Sequence, residues 1–452
     1  MATRLILNTG IFLGALALSG QSKITLDNAD RMTVVQTDTA SITYLVGDVK
    51  MHNEEGTFRC DSALWWRASE RFDAFGDVVF LGQNGVKASS IKMRYEGGLL
   101  KMRQNVKLQH GSQTMNGPQL DYHTSDEHAT FFGRSLIRQG TDSLFANQGQ
   151  YDASLQVFRY QGDIQVLTQD FDVNCDELIH YSADEYMVIP HDGRAIRDSG
   201  FIQFGSGYIN ESENLAIFSD GVYGRDGQDW FQSANMWRNE TADHLALSGR
   251  AQWKEYGSDG IEVYGDSLSV AADSVEGFGN ISLFVQDISA RSEQLHWNET
   301  EEVLTLRGQP ELWMESYFIR CTELKLFRGP RDSIYLSGPV LVLERTEDST
   351  LYHQMIGKEM TGWLNDQGPE SLTIKGNATA LYHADSERIN VTKSSQIVMI
   401  FKEEDDAMVL ETMTFVQSPE GKVNNEKEKQ LEGFVDHFDA KPSRIDWISG
   451  LK

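Results

Sequence analysis

The chain has 452 residues, of which 40 % are apolar and 10 % aromatic, enough to bury a sizeable core and too hydrophobic for a disordered polymer. Acidic residues outnumber basic ones 67 to 40, for a net charge of −27. That balance argues against nucleic-acid binding, which needs clustered Lys and Arg to release counterions, and against docking on an anionic membrane by net charge.

The first element in chain order is a leader. Arg4 and the α-amine precede an apolar run at residues 11–18, and Ala17 and Ser19 supply small residues for cleavage. The pattern predicts a secretory signal peptide over residues 1–22. No cysteine follows the cleavage point, so a lipid anchor is not expected. No later run approaches the 18 apolar residues of a membrane helix, so the mature chain is expected to be exported and soluble.

From residue 47 onward a glycine-x-hydrophobic marker recurs, at Gly47, Gly76, Gln104, Gly133, Gly162, Gly193, Asp220, Gly249, Gly279, Gly308 and Gly338. Ten intervals span 291 residues, a mean of about 29, and such a period signals stacked units that bury their apolar faces together. Each marker is expected to open a strand, because the residues two and four positions on are apolar: Val49 and Met51, Val78 and Phe80, Val106 and Leu108. Period-two alternation places each pair on one face. About thirteen residues after a marker comes a second strand with a small residue near its start, as in RCDSALWW (59–66), NGPQLDYH (116–123), NCDELIHY (174–181) and RCTELKLF (320–327).

The three cysteines, Cys60, Cys175 and Cys321, occupy this small position in different units. Units so far apart cannot bring Cα atoms within the roughly 7 Å a disulfide needs. There is also no C-x-x-C spacing for zinc. Buried, inert thiols are expected, with Asp61, Asp176 and Asp266 as structural neighbours of turns. Metalloprotease, nucleophile-elbow, P-loop and dinucleotide motifs are absent from the sequence, so no enzyme, cofactor or metal site is expected.

The segments GDVKMHNEEGTFRCDSALWW and RFDAFGDVVF resemble the OstA-like proteins of Bacteroidota, relatives of the lipopolysaccharide-transport protein LptA and of the N-terminal domain of LptD. MIGKEMTGWL (355–364), TIKGNATALYH (373–383), TKSSQIVMIF (392–401) and LEGF (431–434) follow in family order. The resemblance implies an all-β, elongated antiparallel β-jelly-roll (a β-taco) whose apolar interior holds lipid acyl chains. It implies a periplasmic, non-catalytic bridge that carries lipopolysaccharide toward the outer membrane. Partners would be lipid A and other Lpt-type proteins joined by edge-strand pairing, or a head-to-tail homo-oligomer. The expected organisation is a β-taco over 23–345, terminal repeats over 346–405 and a charged tail over 406–452.

With an acidic chain repelling lipid phosphates, affinity is expected from acyl burial. The groove residues would be Val49, Met51, Val78, Phe80, Ile91, Met93, Leu100, Val106 and Leu108, although a closed core needs the same residues. Two rival readings are a repetitive structural or adhesion protein of the cell envelope and a parallel β-helix acting on polysaccharide. The second would need catalytic groups stacked on adjacent units, and Asp121, Asp176 and Asp266 do not provide them.

Overall fold

A glycine followed by aspartate or asparagine sets the repeating geometry. The computed structural model describes residues 23–444, apart from 38–40, 84, 125–127, 153, 169–170, 198, 211, 256–259, 287, 315–316, 346–351, 366–367, 384–387, 405–406 and 426–439. The leader and the LEGF segment lie outside the described residues. Gly47 and Asp48 both adopt left-handed backbone, with φ of 82° and 38°, and so do Gly76 with Asp77, Gly162 with Asp163, and Gly279 with Asn280. Glycine enters this region without a Cβ penalty, and Asp and Asn tolerate it better than most side chains.

Two consecutive left-handed residues bend a strand in its middle. Between Ser41–Asn53 (β3) and Gly56–Trp66 (β4), Val46 faces Ser62 and Val49 faces Cys60, so Gly47 and Asp48 together oppose Asp61 alone. This is a β-bulge, one extra residue that kinks the strand. The expectation that a marker opens a strand is therefore corrected: the marker folds one strand into two halves. Gln104 and Asn105 make the same corner without glycine, and Asp220 and Gly221 make it in reverse order. Gly193 serves differently, since a Cβ there would collide with the Phe204 ring.

The described residues fall into two compact units, one within 23–222 with 239–241 and one within 223–238 with 242–444. In unit 1, Thr25–Asn28 (β1) and Arg31–Gln36 (β2) both pair with β3, on its second and first halves respectively. After β3 and β4 come Arg71–Gly82 (β5), Lys87–Glu96 (β6), Leu99–His110 (β7), Gln113–His123 (β8), His128–Gln139 (β9), Asp142–Asp152 (β10), Val157–Leu167 (β11) and Asp172–Tyr181 (β12). Every neighbouring pair from β3 to β12 is antiparallel. That overturns the parallel β-helix reading, and no α-helix occurs among the described residues.

Because neighbouring strands are antiparallel, the first half of one pairs with the second half of the next, and the halves on either side of the corners make two sheets with their inner faces opposed. Phe58, before the corner of β4 and facing Phe80 of β5, packs edge-on against Phe72 of the other sheet, with ring centroids 5.0 Å apart, and lies 5.6 Å from Tyr95. Asn53 Nδ2 donates to the buried Tyr95 hydroxyl at 3.1 Å, a further link between the two sheets.

Unit 2 obeys the same rule. His244–Lys254, Glu262–Ala271, Ser274–Val285 and Ile288–Asn298 pair antiparallel in succession, with slips at Ser248/Ala251 and Phe278/Ile281. Asp332–Arg345, Tyr352–Asn365, Gly368–His383 and Arg388–Glu404 continue the pattern around Leu336, Val340, Ile374 and Ile397, all fully buried. Arg388–Glu404 then pairs with Ala407–Val416 through its second half and with Glu420–Asn425 through its first. Ala407–Val416 and Glu420–Asn425 thus carry strands into the segment expected as a charged tail, 406–452.

Candidate functional site

Alternation about each corner decides which side chains reach the interior of unit 1. Of the nine expected groove residues, Val49, Met51, Val78, Phe80, Met93, Leu100 and Val106 are all buried there. Leu108 is half-buried. Ile91 is 41 % exposed, and its assignment to the groove is corrected. Phe75 faces Lys92 and Val78 faces Ser90, which leaves Ile91 beside the Gly76–Asp77 corner. The bulge interrupts alternation between neighbouring strands at this level, so Ile91 and Met93, two residues apart, fall on opposite sides.

An apolar cleft in this interior lies farther along, between β7 and β11. Leu108, Met115, Leu120, Phe131, Ile137, Tyr151, Phe158 and Tyr160 line it, with His110, Gln113, Thr114 and Gln150 as its polar members. Its cavity is about 60 Å³, the space of about two water molecules. A longer apolar ligand would need the two inner faces to separate. Gly149 opposes Phe131 across β9 and β10, and a Cβ there would collide with the Phe131 ring. The glycine makes room for an aromatic side chain on the cleft wall. Of the cleft residues, only Leu108 was expected. Ile137 stands four residues after the Gly133 marker; the others fall outside such positions, yet Leu120 and Phe131 keep the same period-two alternation and could have been found by following it through β8 and β9.

Two ionisable groups at the cleft, His180 and Tyr160, are held neutral. His180 is 2 % exposed and stacks on Phe158 with centroids 6.0 Å apart; burial lowers its pKa to about 4. Burial also raises the Tyr160 hydroxyl well above its usual range. An interior without charge suits an apolar ligand or a dry core alike.

The Cys–Asp signature belongs to the corners. All three cysteines are free and buried. Burial pushes Cys60 up to about 11 and Cys175 and Cys321 up to about 12, so none is a thiolate at neutral pH. The Asp61 carboxylate lies where a Cβ on Gly76 would sit. Asp176 accepts from the Asp163 N–H at 3.4 Å, and Asp266 accepts from Asn280 Nδ2 at 2.9 Å. These carboxylates brace left-handed corners on the adjacent strand. No cluster of three His, Cys, Asp or Glu side chains able to hold a metal occurs among the described residues.

Residues 21–176 match the family model described as OstA-like protein. No curated protein matches the chain. Among solved structures, one similar chain is LptH, the LptA-homologous periplasmic component of the lipopolysaccharide transport device of Pseudomonas aeruginosa. It is 10 % identical with a TM-score of 0.23, and the match covers 24 % of this chain and 82 % of LptH. Another is the WD40 domain of SCAP from fission yeast, 11 % identical with a TM-score of 0.11, covering 94 % of this chain and 93 % of that one. At such scores neither superposition bears on the fold, which rests on the strand pairings above. The matched segment contains every expected groove residue and the whole cleft lining. Residues 21–176 are similar to the OstA-like protein family over about a third of the chain.

Proposed function

We propose that the inner face of unit 1 binds the acyl chains of lipopolysaccharide, and that the protein carries them, without catalysis, as a periplasmic bridge toward the outer membrane. The observation that carries this reading is the apolar cleft between two facing sheets, within the segment that matches the OstA-like family model. Burying about a dozen methylenes contributes roughly 10 kcal/mol before the cost of ordering the chain, so an uncharged wall suffices for affinity.

The edge of unit 1 supports a bridge. β2 is exposed along its length, with Met32 53 % and Val34 55 % exposed. An apolar edge strand left bare is an aggregation hazard unless another strand pairs with it. An Lpt-type partner or a second copy would supply that strand. Native mass spectrometry of the purified chain with micromolar lipid A tests the reading. A one-lipid adduct is expected for the wild type and a much smaller one for Phe131→Asp, whose carboxylate would charge the cleft wall. Absence of any adduct, or equal adducts for both proteins, would sink it.

A further inference from the structure

The outer face of β5 to β7 reverses the sign of the chain. Residues 87–107 hold six basic side chains and one acid, Glu96, in a protein of net charge −27. Four of the six form a block: Lys92 faces Arg103 and Arg94 faces Lys101 across β6 and β7. Like charges directly opposite one another destabilise an antiparallel pair, so strand pairing alone does not favour this arrangement. Arg71 on β5 adds a fifth cation to the same face, opposite Glu96.

The acids nearby offset only part of this charge. Asp73 accepts from Arg94 at 2.8 and 3.0 Å and from Arg71 at 3.2 Å. Asp121 pairs with Arg103 at 2.5 Å. With Glu96 that makes three carboxylates against five cations. Lys92 is exposed and Lys101 half-exposed, and neither has an ion pair among those described.

Exposed apolar groups border the block. Phe75, 36 % exposed, faces Lys92 directly. Val46 and Tyr44, 48 % and 41 % exposed, lie two strands away on the same face, opposite Ser62 and Leu64, which in turn face Phe75 and Asp73. Lysine and arginine beside exposed aromatic and aliphatic side chains is the chemistry of a membrane interface. The cations meet phosphates while the apolar groups settle at headgroup depth. We propose that this outer face docks the protein on an anionic phospholipid surface. The docking needs none of the inner-face residues, so it stands apart from acyl-chain binding. The acidic net charge averages over a local patch of opposite sign.

Vesicle flotation with the full chain tests the proposal, comparing vesicles of phosphatidylglycerol and phosphatidylcholine in equal parts with vesicles of phosphatidylcholine alone. Binding is expected only to the anionic vesicles and is expected to vanish near 1 M salt, where the Debye length is about 3 Å. The double variant Lys92→Gln/Lys101→Gln should bind about thirtyfold more weakly, with its circular dichroism unchanged. Lys325→Gln/Lys358→Gln, in unit 2, should bind as wild type does. Inorganic phosphate at matched ionic strength should leave vesicle binding intact; displacement by it would mean a single-anion site and overturn surface docking. Equal binding to both vesicles, no binding to either, or full binding by the Lys92/Lys101 variant would also overturn it. So would salt-sensitive self-association, seen by size exclusion, that depends on Lys92 and Lys101 and occurs without vesicle binding.

Discussion

Replacing Phe72 with alanine is expected to lower the stability of unit 1 by about 3–5 kcal/mol. Phe72 has no exposed surface. Its ring meets Phe58 edge-on at 5.0 Å and stacks on Tyr95 at 5.4 Å. Phe58 comes from the opposite sheet, so truncation opens a cavity where the two inner faces meet. Aromatic pairs of this kind add about 0.5–1.5 kcal/mol beyond area burial, which places the loss in the upper part of the range for core substitutions. Phe75→Ala, only three residues on but facing out, should cost under about 1 kcal/mol. Guanidinium unfolding followed by tryptophan fluorescence reads both. A Phe72 loss no larger than the Phe75 loss would mean that the two sheets do not share a core at this level.

Acid should destabilise unit 1 through His180 at a pH well above that at which carboxylates protonate. Its folded pKa lies near 4 because burial penalises the charged ring, whereas an unfolded histidine titrates near 6.5. The neutral ring is therefore the folded form, and the unfolded chain binds the extra proton. Stability is complete above about pH 6.5 and falls as the pH drops toward 4, by about 3 kcal/mol across the window. Asp73 acts in a lower window. Burial opposes its ionisation, yet hydrogen bonds from Arg94 and Arg71 hold its carboxyl below the usual range, so its contribution is present above about pH 4 and is lost only as the pH falls further. His180→Phe keeps a flat ring against Phe158 and removes the upper window alone. The difference between wild-type and His180→Phe stabilities should therefore change between pH 7 and pH 4.5. Parallel pH profiles for the two proteins would show that His180 is accessible to protons in the fold.

Much of this architecture was legible in the sequence because its corners demand special residues. Gly47–Asp48 and Gly76–Asp77 announce left-handed backbone through residue type, and their regular recurrence identifies stacked units. The position of the corner within a strand was not legible. A glycine-aspartate pair reads as a turn, and only the register of Val46 with Ser62 and Val49 with Cys60 reveals a bulge between two paired halves. The misplacement of Ile91 has the same cause, since alternation is reliable along one sheet and fails where a bulge inserts a residue. The segment around Cys60 carries its meaning in Asp61. Beside Gly76, that carboxylate is part of a corner on the neighbouring strand, while Cys60 is a small buried side chain facing Val49.

The cleft was harder to anticipate. Phe131, Tyr151, Phe158 and Tyr160 are ordinary strand aromatics in the sequence, and their convergence depends on how far the two inner faces diverge between β7 and β11. Gly149 carried a usable signal, a glycine inside a strand pattern that marks close approach by another group. The basic block on β6 and β7 was hidden by a different average, the chain-wide charge, which conceals how strand pairing brings Lys92 to Arg103 and Arg94 to Lys101.

Site-specific photo-crosslinking to lipopolysaccharide tests the central claim most directly. A benzophenone side chain is placed at Ile137, on the cleft wall, and separately at Val79, which lies on the opposite face of β5 from Val78 and Phe80. Crosslinking from position 137, competed by excess lipid A and absent from position 79, is the result predicted if acyl chains lie between the sheets. Equal crosslinking from both positions, or none from position 137 in a folded variant, would contradict it.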